Sequence, residues 1–372
     1  MNILQIIPNL KKGGAERLCL DTCRALHHTQ GIEVMVFNFW PENTYGFLTE
    51  KLNRKVIPSK VVPSILGKST IEVAELQREV DVFQPDVIHV HLFEALMVVS
   101  HLRHTAHLVV HFHDNMPQFE NFSWRTLLSK RSITNNFEKR LILKSFKQHK
   151  VSFIGISSVN IGYIRKVLPQ YKSQIHLLHN AIDASRFIAI KQHRNSRPTL
   201  ITIGTLNTNK NHCLAIEVLK HIIDEGLPVH LIIVGDGPER NELHYLVKNL
   251  GLDQQVQFTG SVDNPEYFLE QADLYIHTTK SEAFGLTILE AMAAGLPVVC
   301  TDGGGNRDLI RNGENGFILD TEKPEELADK IEYLLKNAEQ RIRMGSNAQR
   351  FAQDYHIQAY AERLIAIYTA KR

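Results

Sequence analysis

The feature that most constrains this chain is a rhythm that runs twice and is interrupted once. Short apolar runs of strand length alternate with longer amphipathic stretches. In the first series the pattern predicts strands at Asn2–Ile7, Glu33–Phe39, Asp86–His91, His107–His111, Val151–Ile156 and Gln174–Leu178. Helical stretches fall between them at Ala15–His28, Thr70–Val82, Phe93–Arg103 and Trp124–His149. The strands are apolar almost throughout, as strands covered on both faces are, and strand–helix alternation argues for a parallel sheet. Residues 180–198 break the rhythm with Asn180, Asp183, Ser185 and a polar run, Lys191–Pro198, and read as a linker.

A second series follows. Its strands are predicted at Thr199–Gly204, Val229–Gly235, Val256–Thr259, Leu274–Thr278 and Pro297–Cys300, and its helices at His212–Gly226, Pro238–Leu250, Gly285–Ala294 and Pro324–Asn337. The segment Glu339–Arg372 is almost wholly helical by pattern. The expected fold is α/β, with two doubly wound, Rossmann-like parallel-sheet domains over residues 1–190 and 191–355. The closing helix, about 356–372, is free to pack back on the first domain. Such sheets bind ligands at the carboxyl ends of their strands, and a cleft between two domains is the default site.

Bulk properties narrow the class. A chain of 372 residues exceeds one compact core. With 43% hydrophobic and 22% charged residues, wholesale disorder is excluded. No apolar run reaches the roughly 18 residues that a membrane span needs. Met1–Pro8 has no basic leader and reads as a first strand, not a signal peptide. The four cysteines form no disulfide framework, and reduced thiols in a cytoplasmic chain are expected. The net charge of +2 hides an asymmetry, because residues 1–190 carry +8 and residues 191–372 carry −6. The basic half suits an anionic partner.

The densest chemistry lies in Ser281–Pro297. A polar loop opens a helix near Gly285, and Gly295 and Pro297 close it. The backbone N–H groups of Gly285, Leu286 and Thr287 are donors of a helix start, where phosphate is attracted. Glu282 lies in the loop and Glu290 one turn inside the helix. Two carboxylates there suit the hydroxyls of a sugar and a ribose.

This segment resembles the Glu-x7-Glu signature of retaining glycosyltransferase family 4 (glycosyl transferases group 1), of GT-B fold. Asn2–Arg17 with Gly13-Gly14, Gly204–His212 with Lys210, Gly235–Glu239 and Thr301–Gly316 resemble further blocks of that family in order. The resemblance covers nearly the whole chain. It implies that Glu282, beside Phe284, contacts the transferred sugar and Glu290 the nucleotide ribose. It also implies that Lys210 pairs with the donor diphosphate, and that the Gly13-Gly14 turn faces phosphate and acceptor. Backbone around Gly260–Val262 would meet the base. One departure stands out: the family often has Gly-Arg where this chain has Gly204-Thr205. A lost charge-assisted hydrogen bond is worth roughly 1.5–3 kcal/mol. Arg307 and Arg186 are candidate substitutes.

His89-Val90-His91 and His111-Phe112-His113 end two successive strands, and period-two spacing puts each pair on one face. His113 resembles the family's cleft histidine, which hydrogen-bonds the donor sugar. No metal is expected: there is no cysteine nearby and no Asp-x-Asp in the chain. Residues 124–150 hold eight basic residues, Arg125, Lys130, Arg131, Lys139, Arg140, Lys144, Lys147 and Lys150, with Leu and Phe interleaved. That pattern suggests peripheral docking on an anionic membrane, at about 1 kcal/mol per basic residue near the surface. No nucleic-acid recognition motif accompanies the charge.

The expected catalytic residues are therefore His113, Lys210 and Glu282. The expected binding residues are Gly13, Gly14, Thr205, Lys210, Gly235, Val262, Glu282, Phe284, Gly285, Leu286, Thr287 and Glu290. The expected reaction moves a hexose or N-acetylhexosamine, with retention, from a nucleoside-diphosphate sugar to a saccharide or lipid-linked acceptor in cell-surface polysaccharide synthesis. No cofactor is needed, and the chain is expected to be cytoplasmic, on the inner face of the membrane where it docks. Two rivals stand beside this expectation: a sugar-nucleotide epimerase of the same architecture, and a non-catalytic donor-binding scaffold, motivated by Thr205.

Overall fold

A computed structural model describes residues 1–62, 70–120, 130–187 and 197–370, with the side chains of 130–132 outside that set. The chain divides into two compact units, Met1–Ala181 with Ile357–Arg372, and Ile182–His356.

The first unit holds a seven-stranded parallel sheet. Along the chain its strands are Asn2–Ile7, Glu33–Asn38, Asn53–Val56, Val87–His91, His107–Phe112, Val151–Gly155 and Ile175–Leu177. Numbered in that order within the sheet, they lie side by side as 3-2-1-4-5-6-7. Alternation along each strand feeds two cores. Leu4 and Ile6 face a core with Phe37, Ile88, Val90 and Phe112. Ile3 and Ile7 face another with Leu18, Val87, Val109, Ile154 and Leu364. The helices Gly14–His27 and Ile357–Thr369 cover that second face.

The second unit repeats the plan with six parallel strands, Thr199–Ile203, His230–Val234, Val256–Gly260, Leu274–His277, Val298–Thr301 and Gly316–Leu319, ordered 3-2-1-4-5-6. Leu200, Leu231, Ile233, Leu274, Ile276 and Val299 point into a core closed by the helices His212–Asp224 and Pro324–Lys336.

Several sequence expectations change. Thr70–Val82 is not one helix: Thr70–Glu72 pairs antiparallel with Lys60–Val62, and the helix starts at Ala74. Two edge strands, Asn53–Val56 and Gly316–Leu319, extend the sheets. The closing segment breaks at Gln353–Tyr355 into the helices Ala338–Ala352 and Ile357–Thr369. Within the expected linker, Ala184–Phe187 is a 3₁₀ turn of the second unit, and residues 188–196 lie outside the described set.

The basic stretch is a helix over Lys130–Phe146, while 121–129 lie outside the described residues. Ile142 and Phe146 are buried in the first core, with Leu141 and Leu143 packed against it. The C-terminal half of that apolar stripe therefore faces protein, whereas Ile133 in the N-terminal half is exposed. Arg140, Lys144 and Lys147 are exposed. Among the described residues no helix is long and apolar enough to cross a membrane.

Candidate functional site

In the second sheet the strand order reverses between Thr199–Ile203 and Leu274–His277, which are neighbours. Loops leaving the carboxyl ends of such a pair open a crevice where ligands bind in doubly wound sheets. The first of these loops is Gly204–Asn211 and the second is Thr278–Gly285. Thr278 donates its hydroxyl to the Asn211 carbonyl at 2.8 Å. The Asn209 amide clasps Ser281, donating to its carbonyl at 2.9 Å and accepting its N–H at 3.1 Å. The Lys210 N–H is held by the Asn207 side-chain oxygen at 2.9 Å. The stem of Lys210 runs past Gly204, where a Cβ would sit 3.4 Å from Lys210 Cγ and Cδ.

Lys210 Nζ then reaches the Glu282 carboxylate at 2.7 Å. His277 Nε2 donates to the same oxygen at 3.0 Å. The backbone of Glu282 is fixed from the other side. Its N–H donates to the Gly303 carbonyl at 2.7 Å, and its carbonyl accepts the Gly305 N–H at 2.8 Å. A Cβ on Gly305 would lie 2.1 Å from the Ala283 carbonyl oxygen, so only glycine permits this approach. Burial pushes the Glu282 carboxyl up, but the His277 hydrogen bond and the Lys210 charge outweigh it and hold the group at about 2. Burial holds the His277 imidazole below its ordinary range, with Glu282 pulling the other way. The Lys210 and Glu282 side chains remain 24% and 12% exposed, so a ligand can reach both.

The helix Leu286–Ala293 opens at Gly285, whose φ of +104° suits glycine. The Tyr275 hydroxyl donates to Thr287 Oγ1 at 2.9 Å, and Glu290 follows one turn later on the same side as Thr287. The Glu290 charge is felt at Tyr275, whose phenol is pushed up chiefly by burial. Glu282, Thr287 and Glu290 are half-buried, whereas Phe284 is in the core at 2% exposure.

Gly235 ends the neighbouring strand at φ +143°, and a Cβ there would sit 1.9 Å from the Gly204 carbonyl oxygen. Val262 follows Gly260 in the loop after the Val256–Gly260 strand. Thr205 is exposed. Arg186 is committed to Glu266, with Nη2 at 3.1 and 3.2 Å from its two oxygens. Arg307 Nε donates to Asp302 at 2.5 Å, but it belongs to the turn that packs on Glu282 and keeps 60% of its side chain exposed. Of the two, Arg307 is the cation beside the site.

Sequence reasoning missed His277, Tyr275 and Thr279. The Thr279 hydroxyl lies 2.8 Å from His277 Nε2. The available signal was position: His277 is the last residue of a parallel strand at the reversal, five residues before Glu282.

Residues 12–186 match the family described as Glycosyltransferase Family 4, and residues 183–351 match Glycosyl transferases group 1. The chain is a family 4-like glycosyltransferase of GT-B fold. An uncharacterized glycosyltransferase of Haemophilus influenzae is 25% identical over 362 residues, 94% of each chain. N-acetyl-alpha-D-glucosaminyl L-malate synthase of Bacillus anthracis is 32% identical over 173 residues, which is 46% of this chain and 44% of that one. Among solved structures, Anabaena HepE in complex with UDP and glucose superposes with a TM-score of 0.78 at 23% identity, over 99% of both chains. This glycosyltransferase is thus related to enzymes of polysaccharide and glycoconjugate synthesis.

In its first unit, this glycosyltransferase starts the helix Gly14–His27 directly after Gly13. Neither glycine of the turn takes a positive φ. Gly13 is extended, at φ −168°. A Cβ there would lie 2.3 Å from Glu16 Oε2, the end of a flexible side chain that can move aside. The Tyr45 hydroxyl grips Gly13 from the other side, donating to its carbonyl at 2.9 Å and accepting its N–H at 3.0 Å. His113 follows the His107–Phe112 strand and joins His89, His91 and His111 in one buried stack.

Proposed function

We propose that this glycosyltransferase moves a hexose or N-acetylhexosamine from a nucleoside-diphosphate sugar to a saccharide or lipid-linked acceptor of a cell-surface polysaccharide, with the α-configuration retained. The observation that carries the reading is the Lys210–Glu282 pair, set beside a helix start at the reversal of the second sheet. Lys210 and the N–H groups of Leu286 and Thr287 stabilise the diphosphate as it leaves and gains charge. Glu282 and Glu290 accept hydroxyl hydrogens from the sugar and the ribose. Binding of UDP and glucose by HepE supports a uridine nucleotide as first donor to test. Lys210 supplies the cation in this reading, so activity is expected to survive EDTA.

The exposed Arg140, Lys144 and Lys147 give the first unit a basic face suited to anionic lipid. With Ile142 and Phe146 of that helix spent on the core, such docking is mainly electrostatic and weakens at high salt.

The test is donor turnover. The purified chain is incubated with a panel of sugar nucleotides and acceptors, and products are read by mass spectrometry and anomeric NMR. Sugar transfer by the wild type, lost in Glu290→Ala and Lys210→Ala, is expected. Equal transfer by wild type and variants overturns the site assignment. Donor binding without transfer to any acceptor supports the scaffold reading, which Thr205 favours. Isomerised donor without acceptor supports the epimerase.

A further inference from the structure

Gln5 lies on the first strand of the first unit and is fully buried. It stands at that sheet's own reversal, beside the Val87–His91 strand. Its amide meets two partners. Oε1 lies 2.7 Å from His91 Nε2, and Nε2 lies 3.1 Å from the Tyr368 hydroxyl of the closing helix. The longer contact indicates which end of the amide is which. A separation of 3.1 Å suits an N–H···O bond and is long for O–H···O, which favours placing the amide nitrogen against Tyr368 and the oxygen against His91.

A carbonyl oxygen only accepts, so His91 Nε2 carries the hydrogen. His91 is fully buried and burial holds it neutral, so its Nδ1 is a bare lone pair. His113 Nε2 lies 2.8 Å from that lone pair and must donate to it. The second branch runs the same way. The Tyr368 oxygen accepts from Gln5, so its hydrogen goes to His89 Nδ1, 2.6 Å away. His89 Nε2 then donates to His111 Nδ1 at 3.2 Å. One amide thus orients four imidazoles. Turned over, it would reverse every bond in both branches.

The relay ends at His113 Nδ1, a buried nitrogen with no protein partner among the described residues. Burial holds the His113 imidazole at about 3, so it stays neutral at physiological pH. The Cys19 thiol beside His91 is itself pushed up and stays protonated.

We propose that Gln5 is a positioning residue that sets the tautomer of His113 through His91, so that His113 Nδ1 meets its ligand as a hydrogen-bond acceptor. The group it contacts is then a donor, a hydroxyl, and not a phosphate oxygen or an amide carbonyl. That the hydroxyl belongs to a sugar rests on the function proposed above; the tautomer does not.

Ring nitrogens of His89, His91 and His111 also lie within 4.8 Å of one another, a spacing that a metal could use. The short bonds engage both nitrogens of His89 and of His91 with protein groups, which favours the relay.

The test is long-range proton–nitrogen NMR on the full chain labelled in histidine, with His113→Asn used for assignment. In the wild type, Nδ1 of His113 and Nδ1 of His91 are expected bare, and Nε2 of both protonated. Gln5→Glu, which accepts at both oxygens, keeps that branch and reverses His89 and His111. Gln5→Leu gives mixed tautomers at His113. A protonated His113 Nδ1 in the wild type overturns the proposal, and so does an unchanged His113 in folded Gln5→Leu. Equimolar binding of Zn²⁺ that perturbs His89, His91 and His111 overturns it in favour of a metal site. Addition of UDP-glucose is expected to shift His113 Nδ1 without protonating it. The expected tautomers without any response to UDP-glucose overturn the sugar reading and leave the relay standing.

Discussion

The Lys210 ammonium lies 2.7 Å from the Glu282 carboxylate, and the two arrive on loops from the two strands that flank the reversal of one sheet. Neither loop places its side chain alone. Asn209 and Thr278 tie the loops together, and the Gly303–Gly305 turn presses Glu282 from behind. Charge, geometry and backbone packing therefore depend on each other.

The first consequence is in acid. The Glu282 carboxyl is held at about 2 against an ordinary 4.5, so the native state prefers it ionised. Its contribution, roughly 3 kcal/mol, is fully present above pH 4.5 and is lost as pH falls toward 2. Denaturant midpoints measured from pH 5 to 2 are expected to fall less steeply in Glu282→Gln than in wild type. Parallel curves would contradict the assignment.

A second acid effect belongs to the first unit. Burial holds His89, His91, His111 and His113 below their ordinary 6.5. Below pH 6.5 the unfolded chain binds protons that the native state refuses. Stability therefore falls as pH drops, by up to about 1.4 kcal/mol per pH unit for each ring. Stability measured by urea melts is expected to drop steeply between pH 6.5 and 5. A flat profile over that range would show that these rings titrate freely.

Gly235→Ala tests the backbone contact between neighbouring loops. The new Cβ meets the Gly204 carbonyl oxygen at 1.9 Å, and the φ of +143° disfavours any side chain. A loss of about 2 kcal/mol or more is expected in the second unit, with weaker donor binding because the Lys210 loop shifts. Chemical denaturation and calorimetry on the same sample check both. Gly226→Ala, also at positive φ but with open space around its Cβ, is the control and is expected to lose less.

Much of this fold was legible because its strands are buried on both faces. Runs such as Ile3–Ile7 and Leu231–Val234 carry the signal in composition alone. Asn53–Val56 was not legible: it is an edge strand with exposed Asn53, Lys55 and Val56, and shows no apolar run. Thr70–Glu72 is exposed throughout and continues smoothly into a helix, so its pairing with Lys60–Val62 left no periodic trace. In the site, Glu282, Glu290 and Lys210 stood out through spacing and resemblance. His277 did not, because its role depends on Glu282 folding back over the strand end.

Tyr275→Phe separates the ribose side of the site from the phosphate side. It removes the 2.9 Å hydrogen bond to Thr287 at the helix start and two longer contacts of 3.4 Å, to the Ile203 carbonyl and to His277 Nδ1. A stability loss of about 1 kcal/mol is expected. A rise in donor KM with near-constant kcat is expected in sugar-transfer kinetics, since Thr287 and Glu290 share one helix face. A fall in kcat alone would place Tyr275 in the chemistry instead.

The central claim is that Lys210 and Glu282 hold the donor, and calorimetric titration with UDP and UDP-glucose tests it most directly. Wild type is expected to bind both. Lys210→Met is expected to weaken both by about 10- to 150-fold, the range of one charge-assisted hydrogen bond. Glu282→Gln is expected to weaken UDP-glucose more than UDP. Equal affinities across the three proteins would contradict the account.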